Sequence, residues 1–147
     1  MNLKKVISED VIRVPLASTA KDAVIEELLD ILVRTGRVKD RARALKAIVD
    51  REAKMSTGMQ GGLALPHAKT DAVDRLVVSF GTKPEGIEFQ SLDGRPATMF
   101  VMTLSPLNRA GPHIQFLAEI GRFLSDPETR RKVLEAKTPA DVSALLS

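Results

Sequence analysis

The chain has 147 residues, 44% apolar and 28% charged, with a formal charge of +3 and neither cysteine, tryptophan nor tyrosine. That length suits a single domain, 1–147, with a substantial core built from Leu, Val, Ile, Ala and Met. The missing cysteines exclude disulfides, thiolate chemistry and cysteine-ligated zinc. The scarcity of aromatic rings argues against stacking on bases or sugars, and no nucleic-acid partner is expected.

In chain order, Met1-Asn2-Leu3-Lys4-Lys5-Val6-Ile7 is charged, but Ser8-Glu9-Asp10 ends its apolar stretch too soon for a secretory signal. No apolar run is long enough to span a membrane, so a cytoplasmic location without membrane insertion is expected. Val11 to Leu16 reads as a short strand that stops near Pro15. A helix follows, with Thr19 as its N-cap, Asp22 in its first turn and a stripe of Val24, Leu28, Ile31 and Leu32. Gly36 ends it. Asp40 caps a second helix reaching Lys54, with Leu45, Ile48 and Val49 facing inward. Between Arg34 and Lys54, eight Lys/Arg stand against three Asp/Glu. Such a face can meet an acidic protein or nucleic acid, but a solvated helix surface is the commoner outcome.

Periodicity stops at Ser56-Thr57-Gly58-Met59-Gln60-Gly61-Gly62, a loop that must turn tightly or come close to a neighbour. Leu63-Ala64-Leu65 is a short apolar run ended by Pro66-His67, and Leu76 to Phe80 reads as a strand. Pro84-Glu85-Gly86 and Asp93-Gly94 read as turns, the second leading into a buried strand from Ala97 to Leu104. Three helices close the chain. They open at Pro112, at Asp126-Pro127 and at Thr138-Pro139, with Leu117, Ile120 and Leu124 inward on the first and Val142, Leu145 and Leu146 on the last. The element order argues for helices covering a sheet, either α/β or α+β.

The chain has two histidines. His67 ends an apolar strand, where a side chain reaches the surface of a rigid scaffold. A neutral imidazole is a good nucleophile near neutral pH. A phosphoryl group on it would add almost two negative charges that the site must stabilise. The helix N-terminus at Pro112, the His113 ring N–H, Arg51 and the Thr57-Gly58 segment are candidates for that task. Blander readings stand beside these. A histidine on an inner helix stripe is ordinarily a satisfied core residue, and the glycine segment can be only a turn. It is neither a Walker loop nor a dinucleotide fingerprint. Two histidines with carboxylates can also ligate a metal, but no His-x-x-x-His spacing supports that. From the residues alone, a phosphocarrier is one candidate among several.

The ordered set of motifs narrows the choice. Ser56-Thr57-Gly58 with Leu63-Ala64-Leu65-Pro66-His67-Ala68-Lys69 resembles the active-site signature of the IIA domains of the bacterial phosphoenolpyruvate-dependent sugar phosphotransferase system, mannitol/fructose type, which include nitrogen-regulatory IIA proteins. Arg51-Glu52, Glu85-Gly86-Ile87 with Leu92-Asp93-Gly94, His113-Ile114-Gln115 with Leu117, and Leu134 with Ala136-Lys137-Thr138 and Val142 extend the resemblance over residues 5–147. It implies an α/β sandwich, a mixed sheet flanked by helices. It implies that His67 accepts a phosphoryl group from the phosphocarrier HPr through a ring nitrogen and donates it to a IIB domain. His113 would support that group, Arg51 would shape the site and Thr57 would line it, with no metal or organic cofactor. The chain departs from the pattern at Gln60-Gly61-Gly62, where the family often has Gly-Asn-Gly, and at Ala68, where many members have Gly. A second reading keeps a phosphorylatable His67 but makes the protein a regulator of a transporter, kinase or other partner.

Overall fold

The computed structural model describes residues 1–146; Ser147, the last residue of the expected domain 1–147, lies outside the described residues. Among these residues the α-helices are α1 (Leu3–Val6), α2 (Lys21–Arg34), α3 (Arg41–Lys54), α4 (Ala110–Ser125), α5 (Pro127–Glu135) and α6 (Pro139–Leu145). The strands are β1 (Ile12–Arg13), β2 (Leu63–Ala64), β3 (His67–Lys69), β4 (Val77–Ile87) and β5 (Ala97–Ser105). They form one mixed sheet in the order β1-β4-β5-β2, with β3 also paired to β5. Strands β4 and β5 are an antiparallel pair; β1 joins β4, and β2 and β3 join β5, in parallel.

Strand alternation sorts the two faces. The Ser79 hydroxyl donates to the Leu28 carbonyl of α2 and Ser79 pairs with Met102, so Met102 and Leu104 face α2. Thr103 and Ser105 face the other way, where Ser105 meets His113 of α4. His67 pairs with Thr103 and shares that second face. Phe80, Phe100 and Phe116 are fully buried on or against the sheet, and Leu28, Leu29, Leu32 and Ile48 seal α2 and α3 to it.

Local chemistry explains most helix starts. Asp40 accepts from the Arg43 N–H, Asp126 from that of Thr129, and Thr138 forms a capping box with Asp141. Helix α2 differs from the reading above. Its N-cap is Ala20, not Thr19, and no side chain caps it. The Glu27 carboxylate instead takes the N–H groups of Ala17 and Ser18, 2.9 Å each, fixing the segment that leads in. Val49 is 50% exposed rather than inward, because Ala44 and Ile48 carry the buried face of α3. Helix α4 begins at Ala110, two residues before Pro112. Strand β4 runs past Phe80 and through Pro84-Glu85-Gly86, with a register shift between Thr82 and Ile87.

Candidate functional site

The site is built around a break in one sheet edge. Both β2 and β3 lie along β5, against Met99–Phe100 and Thr103–Ser105, and are separated by Leu65-Pro66. The glycine segment folds back on this break. The Met59 N–H donates to the Leu63 carbonyl at 2.7 Å, and the Leu65 N–H to the Thr57 carbonyl at 3.0 Å. Gly58 must be glycine for contact reasons, since a Cβ there would lie 2.8 Å from the Ser91 backbone. Gly62 has φ +81° and its carbonyl accepts the Thr98 N–H at 2.7 Å, which ties the loop to the start of β5.

His67 opens β3 and is half-buried. Its Nδ1 lies 2.7 Å from the Leu65 carbonyl oxygen. A carbonyl only accepts, so the ring proton of the neutral imidazole sits on Nδ1 and the lone pair is on Nε2. His113, in the first turns of α4, has its ring centre 5.3 Å from that of His67 at an interplanar angle of 57°. It is only 5% exposed, and its Nδ1 lies 2.8 Å from the Ser105 hydroxyl. Burial first, then electrostatic opposition from His67 and Lys69 to a second positive charge, depress its pKa to about 4. His113 is therefore neutral at physiological pH, with a single ring N–H to offer.

His67 borders two clefts of different character. One, of about 350 Å³, is lined by Arg51, Lys54 and Lys69 together with Asp50, His67 and His113. The other, of about 560 Å³, is lined by Met55, Met59, Leu63, Leu65, Leu92 and Leu117 together with Arg51, Thr57 and His67. Met55 and Leu92, which line this cleft, are each 64% exposed, so the histidine stands beside apolar side chains that face solvent. A basic pocket beside an apolar collar can hold a small polyanion while a macromolecule docks on the collar.

All four expected site residues lie near one another, in unequal roles. His67 and His113 are in ring contact. Arg51 lines both clefts, and its Nη1 donates to the Met55 carbonyl at 2.8 Å, closing the end of α3. Thr57 lines the apolar cleft, but its hydroxyl is engaged by Glu52 Oε2 at 2.7 Å. Sequence reasoning did not single out Ser105, Lys54 or Lys69. Lys69 had a signal, since a residue two past His67 in a strand shares its face; Ser105 had none. The basic stretch is largely paired within the fold: Arg37 with Asp10, Lys39 with Asp74, Arg41 with Glu26 and Asp30, Arg43 with Asp71, and Lys46 with Asp50. Among the described residues, no three His, Cys, Asp or Glu are grouped to hold a metal ion, and no helix is long and apolar enough to cross a membrane.

Comparison with known proteins follows the same lines. The family described as "Phosphoenolpyruvate-dependent sugar phosphotransferase system, EIIA 2" matches residues 5–147. The fructose-specific EIIA component of Haloferax volcanii is 41% identical over 127 residues, which cover 86% of this chain and 82% of that protein. The fructose-specific EIIABC component of Bacillus subtilis is 32% identical over 138 residues, 94% of this chain but 22% of that longer protein. In fold, the chain is similar to the nitrogen regulatory protein IIA-Ntr of Neisseria meningitidis (TM-score 0.90, 23% identity, 99% of each chain). It is also similar to the IIA mannitol protein solved in complex with phosphorylated IIB from Escherichia coli (TM-score 0.82, 22% identity, 95% and 96% of the chains). The chain thus belongs to the EIIA type 2 family of the phosphoenolpyruvate-dependent sugar phosphotransferase system.

Proposed function

We propose that residues 1–147 form one EIIA type 2 domain acting as a phosphocarrier: His67 accepts a phosphoryl group from HPr and passes it to a IIB domain. The observation that carries this reading is the hydrogen bond from His67 Nδ1–H to the Leu65 carbonyl, which leaves Nε2 as the nucleophile. In the forward step, Nε2 attacks the phosphorus of the donor phosphohistidine. An Nε2–P bond forms as the donor N–P bond breaks, and a donor ring protonated on its other nitrogen leaves neutral. His67 keeps its Nδ1 proton, so the product is an imidazolium held by the Leu65 carbonyl and carrying a dianionic phosphoryl group. Transfer to IIB reverses these bonds.

The surroundings suit that charge. Arg51, Lys54 and Lys69 line the adjoining cleft. A Ser105 hydroxyl that donates to His113 Nδ1 would put the His113 proton on Nε2, available to a phosphoryl oxygen. Because His113 is neutral before transfer, it does not repel the ring that becomes cationic. No metal or organic cofactor is needed for this exchange of one N–P bond for another. The apolar collar at Met55, Met59 and Leu92 would receive HPr and IIB in turn.

A second reading has a specific observation behind it. A nitrogen regulatory protein of Bradyrhizobium diazoefficiens is 23% identical over 147 residues, covering 95% of its length. Here the same phosphorylation would switch binding to a transporter, kinase or other target. Both readings need a phosphorylated His67 in the cytoplasm, so one experiment tests their common ground. Wild type and His67→Ala are incubated with phosphoenolpyruvate, enzyme I and HPr and their intact masses measured. One acid-labile phosphoryl group on wild type alone is expected. No added mass on folded wild type with active HPr would defeat both readings. If it is present, its loss on adding a IIB domain separates carrier from regulator.

A further inference from the structure

We propose that Glu52, braced by Lys21, is a positioning residue that sets the tautomer of His67 through Thr57 and Leu65. The inference deepens the phosphocarrier reading and rests on it for the consequence in transfer, though the tautomer is measurable without any transfer.

A continuous path of hydrogen bonds joins α2 to the active ring. Lys21 Nζ lies 2.9 Å from Glu52 Oε1, and its ammonium is also held 3.0 Å from Gln90 Oε1 and 4.7 Å above the Phe89 ring. Glu52 grips Thr57 twice, taking its N–H on Oε1 at 2.8 Å and its hydroxyl on Oε2 at 2.7 Å. The Thr57 carbonyl accepts the Leu65 N–H at 3.0 Å. The Leu65 carbonyl in turn accepts the Nδ1–H of His67 at 2.7 Å.

Three features make this more than ordinary loop packing. First, the Glu52 side chain is only 8% exposed, and a carboxylate so placed is costly unless its oxygens are satisfied. Burial pushes its carboxyl up, yet the Thr57 bonds and the Lys21 ammonium outweigh burial and hold it below the usual carboxylate range. Second, the anchored residue stands immediately before a segment containing Gly58, Gly61 and Gly62, two of them at positive φ, where glycine leaves the backbone the widest choice of conformations. Third, Leu65 sits in the break between β2 and β3, and Pro66 has no N–H to tie the next peptide. On the far side the Pro66 carbonyl is fixed by the Thr103 N–H at 3.0 Å. On the near side the Leu65 N–H bond to Thr57 fixes the Ala64–Leu65 peptide, so the two bonds bracket the Leu65–Pro66 peptide that carries the acceptor. Turning that peptide removes the acceptor from Nδ1, and the free imidazole then takes the Nε2–H form, which has no lone pair where phosphorus must be attacked.

The test uses the whole unphosphorylated chain with histidine ring nitrogens labelled. Two-bond proton–nitrogen correlation spectra at about pH 8, above the ordinary histidine pKa, read which nitrogen of His67 carries the proton. Wild type is expected to show the proton on Nδ1. Glu52→Ala is expected to shift a substantial fraction to Nε2–H. Thr57→Val, which keeps the backbone bond to Glu52 and loses the hydroxyl, should shift less. Glu52→Gln, which keeps an acceptor for the Thr57 N–H, should recover most of the wild-type pattern. In transfer from HPr, Glu52→Ala should lower the maximal rate about tenfold with the apparent KM for HPr unchanged, because Glu52 is buried away from the docking collar. A wild-type His67 carrying its proton on Nε2 would overturn the proposal. So would an unchanged spectrum in Glu52→Ala and, should that variant not fold, in Thr57→Val. A tautomer shift in the variants with no phosphoryl uptake by wild type would uphold the positioning role and defeat the phosphocarrier reading instead.

Discussion

The start of β3 and the first turns of α4 each present a histidine, with ring centres 5.3 Å apart, and they are built in opposite ways. His67 is half-buried between two clefts, and its ring Nδ1 is bonded to a backbone carbonyl. His113 is 5% exposed, leans on the Ser105 hydroxyl, and has its pKa driven to about 4, chiefly by burial. One ring is open, with its proton on Nδ1 and its lone pair on Nε2; the other is enclosed and kept neutral. The contrast shows how one residue type is brought into two different states by burial and by the partner on one nitrogen.

Removing each ring should break this contrast in different ways. His67→Ala is expected to abolish phosphoryl uptake while changing stability by less than about 1 kcal/mol, because one partly exposed hydrogen bond is lost. Intact mass and a denaturant titration check both halves, and a large stability loss would make His67 structural. His113→Ala should do the reverse in proportion. Uptake should persist but slow about 100-fold, as for loss of one charge-stabilising donor. Stability should fall by about 2–3 kcal/mol from the cavity and the stranded Ser105 hydroxyl. Equal uptake rates in wild type and variant would remove His113 from the chemistry.

Acidity sharpens the same comparison. His113 has a folded pKa of about 4, below its ordinary value of 6.5, so the unfolded chain binds its proton first as pH falls. The stability it contributes is complete above pH 6.5 and is lost as pH falls toward 4. Over the part of that window between about pH 6.5 and 5 the loss is roughly 2 kcal/mol. It should vanish in His113→Gln. Denaturant midpoints of the two proteins across this range check it, and parallel curves would mean that His113 titrates freely.

How much of this was legible in the amino-acid order depends on whether the determining contact is local. Caps at Asp40, Asp126 and Thr138 were readable because donor and acceptor lie within three residues. Thr19 misled because Glu27, far along α2, holds the preceding loop instead. Pro84-Glu85-Gly86 looked like a turn, yet β4 absorbs it: the regular pairing ends at Thr82 and resumes at Ile87, and Gly86 at φ +86° makes the bend. The short α1, capped by Asn2, has too few residues to show a periodicity. His67 stood out by its strand-end position and its motif. Its meeting with His113 followed only from family resemblance, because the β3–β5 register that brings them together is a long-range property. Ser105 was invisible for the same reason.

That unread serine gives the smallest and most discriminating effect. Ser105 ends β5 and is itself fully buried, so its hydroxyl has nothing in water to exchange for His113. In Ser105→Ala the removed atom is small and the packing loss slight, but His113 Nδ1 loses its partner, at about 1 kcal/mol. If the serine only fills space, transfer from HPr should be untouched. If its hydroxyl keeps the His113 proton on Nε2, the ring becomes free to carry the proton on either nitrogen. Uptake should then slow by a few-fold, clearly less than in His113→Ala. The two variants must also fail to add, because Ser105 acts only through the ring that His113→Ala removes. A double variant slower than His113→Ala alone would show that Ser105 reaches the phosphoryl group by another route.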